Sequence, residues 1–263
     1  MIKRVFIGVL LLVLVIVDIS FAIPLHLVDV TDKVLPLVNS LRDDPVGFAL
    51  GLDVSYEKFG RVWGKNVPAI LYGTLPLKKS EILEEQAVSH VLSIDEGRNV
   101  LPIEDALLST RMELYVAFEH IIPEERALKL LLSEMLLKAI MGRGKFSALL
   151  FPPYTDIAAV LASLTLKIDG SSYNVYVLVV EIGIAEDKPL GNYVVGKVSP
   201  SVISLDFFNR EDRAPVFVWP NGIYFTVLGE GDYFVHIKKK VNGRVVDSII
   251  KESFDLFPVR MDF

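Results

Sequence analysis

Cysteine is absent from all 263 residues. That excludes disulfide staples, thiolate nucleophiles and thiolate metal sites. A chain this long, with 52% hydrophobic residues, can bury a large core without such staples. Glutamine occurs once, at Gln86. Scarce glutamine and absent cysteine, beside many Val, Ile, Lys and Glu, are the composition expected of a thermophile protein. The nucleophile-elbow, zincin, Walker and dinucleotide-fingerprint motifs are all missing.

Positive charge is also short. The net charge is −6. Residues 1–79 carry nine basic against seven acidic residues, residues 80–145 seven against twelve, and residues 146–263 eleven against fourteen. No stretch is basic enough to displace many phosphate counterions, so nucleic acid is excluded as a partner. The run Lys238-Lys239-Lys240 forms no single patch, because successive strand residues point to opposite faces.

What the chain has, at its start, is an apolar run. In "MIKRVFIGVLLLVLVIVDISFAIP", Lys3 and Arg4 precede 13 apolar residues from Val5 to Val17. Asp18 ends the run, and Ser20-Phe21-Ala22 follows, with small residues at the two positions a signal peptidase reads. A spanning helix needs about 20 apolar residues. Lengthening this one through Asp18 would bury a carboxylate at a cost of ~2.5–3.5 kcal/mol, and would then meet Pro24. We therefore expect a secretory signal over residues 1–22, read at Ser20 and Ala22, with Ile23 as the mature start. The alternative is an uncleaved N-terminal helix that tethers the protein.

The expected fold class is α+β: N-terminal strands and a helical middle section, followed by an antiparallel, immunoglobulin-like β-sandwich. "VGFALGLDVSY" alternates strictly from Val46 to Tyr56 and reads as a half-buried strand. "VPAILYGTL" reads as a second strand. A short helix fits Thr31 to Leu41 on Val34, Val38 and Leu41, with Pro36 against it. The helical section spans about 80–145, inside an N-terminal region of residues 23–150. Ser80 caps a helix carrying Leu83, Ala87, Val91 and Ile94. Pro123 opens a second, and Gly142 in "GRGK" closes it as a C-cap rather than as a phosphate loop. "RMELYVAFEHI" alternates like a strand but is composed like a helix; the alternation favours strand.

From Pro152-Pro153 onward the sequence is all β, so residues 151–263 read as one sandwich domain. Turn signals stand at Asp169-Gly170, Asn221-Gly222 and Asn242-Gly243. A two-residue Asn242-Gly243 turn sets Val241 opposite Arg244, Lys238 opposite Asp247 and Val235 opposite Ile250. At "GEGDYFVHI" a turn with Gly and Asp runs into Tyr233, and this stretch resembles the tyrosine corner of an immunoglobulin-like sandwich. The resemblance implies a two-sheet fold over the last 110 residues or so and no particular activity.

Catalytic, cofactor and metal residues are not assigned. The four histidines, His26, His90, His120 and His236, lack metal-ligand spacing. His90 and His120 could meet beside Glu119. The acidic loops at Asp95, Glu96 and Asn99 and at Glu211 and Asp212 lack the oxygen pattern of a calcium site. The reading is an exported cell-envelope or extracellular protein with a non-enzymatic binding, structural or assembly role. Its expected partners are a second copy of itself, as a homo-oligomer, or another envelope protein. It meets the membrane only during export or through an uncleaved N-terminus. The alternatives are a secreted hydrolase with a carboxylate-based site and a membrane-tethered accessory subunit. The apolar segment "IPLHLVDV" is expected to pair within its own sheet, with donation to a neighbouring subunit as the sharper alternative.

Overall fold

A computed structural model describes residues 26–95, 106–168, 171–185, 192–210, 212–255 and 259–263. Ser20, Ala22, Ile23 and the Asp169-Gly170 turn lie outside the described residues. The protein is mixed helix and sheet, consistent with α+β. Its sheets are antiparallel apart from two short parallel pairings.

Strand β1 (His26–Asp29) turns into helix α1 (Thr31–Asp43). The Asp29 carboxylate accepts the Thr31 N–H at 2.9 Å, and Val34, Val38 and Leu41 face the core as their spacing predicts. The strands expected next are not formed. Residues 45–63 instead make two short helices, α2 (Pro45–Gly51) and α3 (Tyr56–Trp63), and the "VPAILYGTL" stretch makes α4 (Val67–Gly73). End chemistry decides against the alternation. Asp44 accepts from the Gly47 N–H and Ser55 from the Lys58 N–H, while Pro45 and Pro68 sit in first turns, where a missing N–H costs nothing.

After the short β2 (Lys78–Lys79) comes α5 (Glu81–Asp95), then β3 (Ala106–Phe118), α6 (Glu124–Ile140), a 3₁₀ segment (Gly144–Leu150), β4 (Asp156–Ile168) and β5 (Ser171–Ala185). Helix α6 ends in a Schellman motif: the Arg143 N–H reaches the Lys138 carbonyl and the Gly142 N–H reaches that of Ala139, both at 2.9 Å. Gly142 takes φ +59° there.

Strand pairing runs across Pro152-Pro153. The first sheet has the order β1-β4-β5-β3, with β2 beside β4. The strands β4 and β5, expected with the C-terminal strands, therefore belong to a sheet begun by the N-terminal region. Their near-continuous apolar runs reflect burial on both faces. Leu161, Leu178 and Val180 join α1–α4 and α6 in the main core, while Val160, Val177 and Val179 pack under α5 with Ala87 and Val91. Segment "IPLHLVDV" pairs in cis, with His26–Asp29 antiparallel to residues 160–163.

Residues from Tyr193 onward form two four-stranded sheets. One runs β13 (Val259–Arg260), β6 (Tyr193–Lys197), β10 (Ile223–Val227), β9 (Phe217–Val218). The other runs β12 (Arg244–Phe254), β11 (Gly231–Val241), β7 (Val202–Phe208), β8 (Arg213–Ala214). They face each other through Val194 and Tyr224 on one side and Leu205, Phe207, Val235 and Phe254 on the other. The back of the first packs into the main core through Val195, Ile223 and Phe225. Trp219 is buried there, 5.3 Å from Phe151 and 5.7 Å from Trp63 between ring centres, and its indole N–H donates to the Ser147 carbonyl. The β11–β12 register is the one read from the Asn242-Gly243 turn.

Arg42 ties α1 to the segments around Leu75 and residues 149–154. Fully buried on α1, its guanidinium donates to the carbonyls of Leu75, Leu149, Phe151, Pro152 and Tyr154. Burial lowers its pKa to about 9, which leaves it cationic at neutral pH.

Candidate functional site

The period of two along β3 puts Arg111, Glu113 and Tyr115 on the sheet face that α5 covers. Arg111 lies directly opposite Glu181 on β5, and α5 brings His90 down onto the same spot. The contacts form one chain. Arg111 Nε pairs with Glu181 Oε1, and Arg111 Nη1 donates to His90 Nδ1 at 2.8 Å. His90 Nε2 lies 2.9 Å from Glu113 Oε1, and the Tyr115 hydroxyl donates to Glu113 Oε2 at 2.5 Å.

Because guanidinium N–H groups only donate, His90 Nδ1 accepts and the ring proton sits on Nε2. Burial, then the positive field of Arg111, lowers the His90 pKa. Burial raises Glu181, with Arg111 working against it. Burial and the hydrogen bond to Glu113 push Tyr115 up. A cleft of about 340 Å³ opens beside the network, lined by Arg111, Glu113, Lys145, Glu181, Lys197 and Asn221.

This array is poorly arranged for base catalysis. A general base needs a free lone pair within reach of the proton it takes, and both His90 nitrogens are occupied. Glu181 is sealed by Arg111, with 2% of its side chain exposed.

The meeting of His90 with His120 is not made. His90 turns to Arg111 and Glu113, while Glu119 and His120 are exposed beyond the end of β3. His26 pairs with Glu124 at 2.8 Å and His236 with Asp247 at 2.7 Å. Glu96, Asn99 and Glu211 lie outside the described residues. Asp212 sits in a side-chain-capped turn, its N–H bonded to Asn209 Oδ1. Among the described residues no group of three or more His, Asp or Glu could hold a metal ion, and no helix is long and apolar enough to cross a membrane.

The second feature is β12. It is 11 residues long, stands at the edge of its sheet, and is exposed along nearly its whole length. Val245 (60%), Val246 (48%), Ile249 (62%) and Ile250 (39%) place apolar surface on both of its faces. The other edges of the two C-terminal sheets, β13, β9 and β8, are two residues long. Strand β3, the long edge of the first sheet, is flanked by the 3₁₀ segment and β13. Sequence reading found the strand but missed its exposure. The adjacent pairs Val245-Val246 and Ile249-Ile250 put apolar side chains on both faces and give no sign of which neighbour covers them.

Fold and site together define an α+β protein with a polar network under a helix and an open β edge. The chain matches no protein-family model and no curated protein.

Proposed function

We propose that this chain is an exported protein of the cell envelope or extracellular space, with a non-enzymatic role in binding or assembly. The observation that carries the reading is β12. Long apolar edge strands are aggregation hazards that proteins blunt with charged side chains, proline, bulges or very short strands. Strand β12 carries Arg244, Asp247, Lys251 and Glu252 but has no proline and keeps four exposed Val and Ile side chains, and an unpaired edge is the template for β-augmentation. The charged start, apolar run and Ser20-Phe21-Ala22 end support export. The occupied nitrogens of His90 support a structural use of the polar network. We also read the two C-terminal sheets as immunoglobulin-like. Support for this comes from the Tyr233 hydroxyl, which accepts the N–H of Gly229, four residues upstream, at 3.2 Å, as a corner tyrosine contacts its own turn.

The test is site-specific photo-crosslinking in the cells that make the protein. A probe at Ile249 is expected to give a discrete cross-linked species, and one at Ile121, exposed but far along the chain, none. Equal or absent products at both positions sink the reading.

A second reading, a carboxylate-based hydrolase, draws on Glu113 and Glu181 sharing one cleft. It requires turnover of a glycan or ester substrate that disappears in Glu113→Gln.

A further inference from the structure

The open edge of β12 carries its own complement. We propose that its partner is a second copy of this chain, joined β12 to β12 in antiparallel register about a two-fold axis at Ser248. The inference rests on the binding role assigned above and names the partner.

The hairpin fixes which groups are free. In a two-residue hairpin the residues flanking the turn, here Val241 and Arg244, form a hydrogen-bonded pair. Alternation then turns the backbone N–H and C=O of Arg244, Val246, Ser248, Ile250 and Glu252 toward β11. Those of Val245, Asp247, Ile249 and Lys251 face outward, where a second strand can bond to them. An antiparallel partner must set outward groups opposite outward groups, which puts the two-fold axis at a residue; the central choices are Ser248, Ile249 and Ile250.

Side chains choose among them. Centred on Ser248, the face that β12 shares with Val235 and Ile237 sets Val246 against Ile250 of the second copy and Arg244 against Glu252, each match occurring twice by symmetry. On that face apolar meets apolar and opposite charges meet; on the other, Asp247 faces Ile249 and Val245 faces Lys251. Centred on Ile249, Ile249 meets itself and Asp247 meets Lys251, but Val246 faces Glu252 and Arg244 faces Phe254, and the charged pair is already engaged at home. Centred on Ile250, Ile249 faces Lys251 and Arg244 falls beyond the end of the second strand. Asp247 holds His236 at 2.7 Å and Lys251 holds Asp232 at 2.5 Å. The Ser248 register therefore uses the charges left over by the single chain. The joined sheet would run unbroken from β8 of one copy to β8 of the other.

The test uses the full chain, expressed with its leader in an exporting host and purified. Sedimentation equilibrium is expected to show a dimer. Arg244→Glu or Glu252→Arg alone sets like charges opposite each other and is expected to weaken dimerisation at least tenfold. An equimolar mixture of the two variants is expected to restore it, because every opposed pair then has opposite signs; misfolded variants would not recover on mixing. The chain is free of cysteine, so Ser248→Cys adds a single thiol. Across a non-hydrogen-bonded pair the Cα atoms lie about 4.5 Å apart, within disulfide reach. Oxidised Ser248→Cys is expected to form a covalent dimer faster than Ile249→Cys. A wild-type chain that stays monomeric at roughly 100 μM, a dimer indifferent to both charge variants, or preferential cross-linking at Ile249→Cys overturns the proposal. If the purified chain is monomeric while the Ile249 photoprobe captures a different protein in cells, self-pairing fails and the binding role stands. If both experiments are silent, both fall.

Discussion

Arg111 stands directly opposite Glu181 in the β3–β5 ladder, and their side chains close an ion pair beneath α5. Burial holds Glu181 above the usual carboxylate range, and Arg111 draws it partly back. Removing the cation alone leaves a buried charge without its partner. Arg111→Leu is expected to cost about 3–5 kcal/mol at neutral pH, and adding Glu181→Leu to recover most of that. The pH dependence has a definite sign. A carboxyl whose folded pKa exceeds its unfolded value of ~4.3 destabilises the fold as pH rises through that interval. The Arg111→Leu variant should therefore regain stability on acidification toward pH ~4. Urea denaturation across that range checks it; a variant that weakens further on acidification contradicts the arrangement.

His90 responds in the opposite sense. Its folded pKa is depressed, first by burial and then by Arg111. Its contribution to stability is present above the ordinary histidine range of ~6.5 and is lost as pH falls through the depressed value. Protonation at Nδ1 would also set a donor against the Arg111 N–H. Nitrogen-15 NMR is expected to show an Nε2–H ring that is still neutral at a pH where an unperturbed histidine is already protonated. A ring that titrates at or above its ordinary value overturns the network as described.

Arg42 has no carboxylate among its hydrogen-bond partners; five backbone carbonyls hold it. Arg42→Met would strand those oxygens in the interior at about 1–3 kcal/mol each where no water replaces the donor, so the chain is expected to be unfolded or barely folded. Arg42→Lys supplies three donors from a single point and should recover only part of the loss. Melting temperatures of the two variants, with wild type, measure the difference; full rescue by lysine would show that charge matters there and the planar fork does not.

Two glycines separate backbone strain from crowding. Gly142 and Gly144 both have positive φ, +59° and +52°. A Cβ at Gly142 would lie 2.8 Å from Val62 Cγ1, whereas at Gly144 nothing lies within 4 Å. Gly144→Ala is expected to cost about 1 kcal/mol for its φ alone, and Gly142→Ala about 2–3 kcal/mol once Val62 must move. Thermal melts that rank the two equally would mean that Val62 yields freely.

Legibility in the sequence followed the range of the interaction. Helices α1, α5 and α6 announced themselves through local spacing and caps, and the β11–β12 register through one turn. Residues 46–56 misled because six apolar side chains fell on alternate positions by coincidence. Asp44 and Ser55, which accept backbone N–H groups, and Pro45, which lacks one, decide the local structure independently of hydrophobic period. The polar network was invisible for another reason. Arg111 and Glu181 are 70 residues apart, and His90 joins them from a helix, so no spacing records their meeting. The open edge of β12 was hidden because exposure depends on what is missing beside a strand, which its own residues do not encode.

That long-range pairing bears on how the chain divides. A fragment of residues 151–263 keeps both C-terminal sheets, yet it strips β1 and β3 from β4 and β5. The remaining β4–β5 hairpin would carry Leu161, Leu178 and Val180 on one face and Val160, Val177 and Val179 on the other, all buried in the whole protein. Both faces would then meet water, and a lone two-stranded hairpin is marginal at best. The back of the β6–β10 sheet would also lose the cover that Trp63 gives Trp219. We expect the fragment to aggregate or to show no cooperative melt by circular dichroism, whereas residues 26–263 melt in one transition. A sharp melt with strand-type signal from the fragment alone would place a true domain boundary at Pro152-Pro153 and make the β3–β5 pairing a docking contact between two independent units.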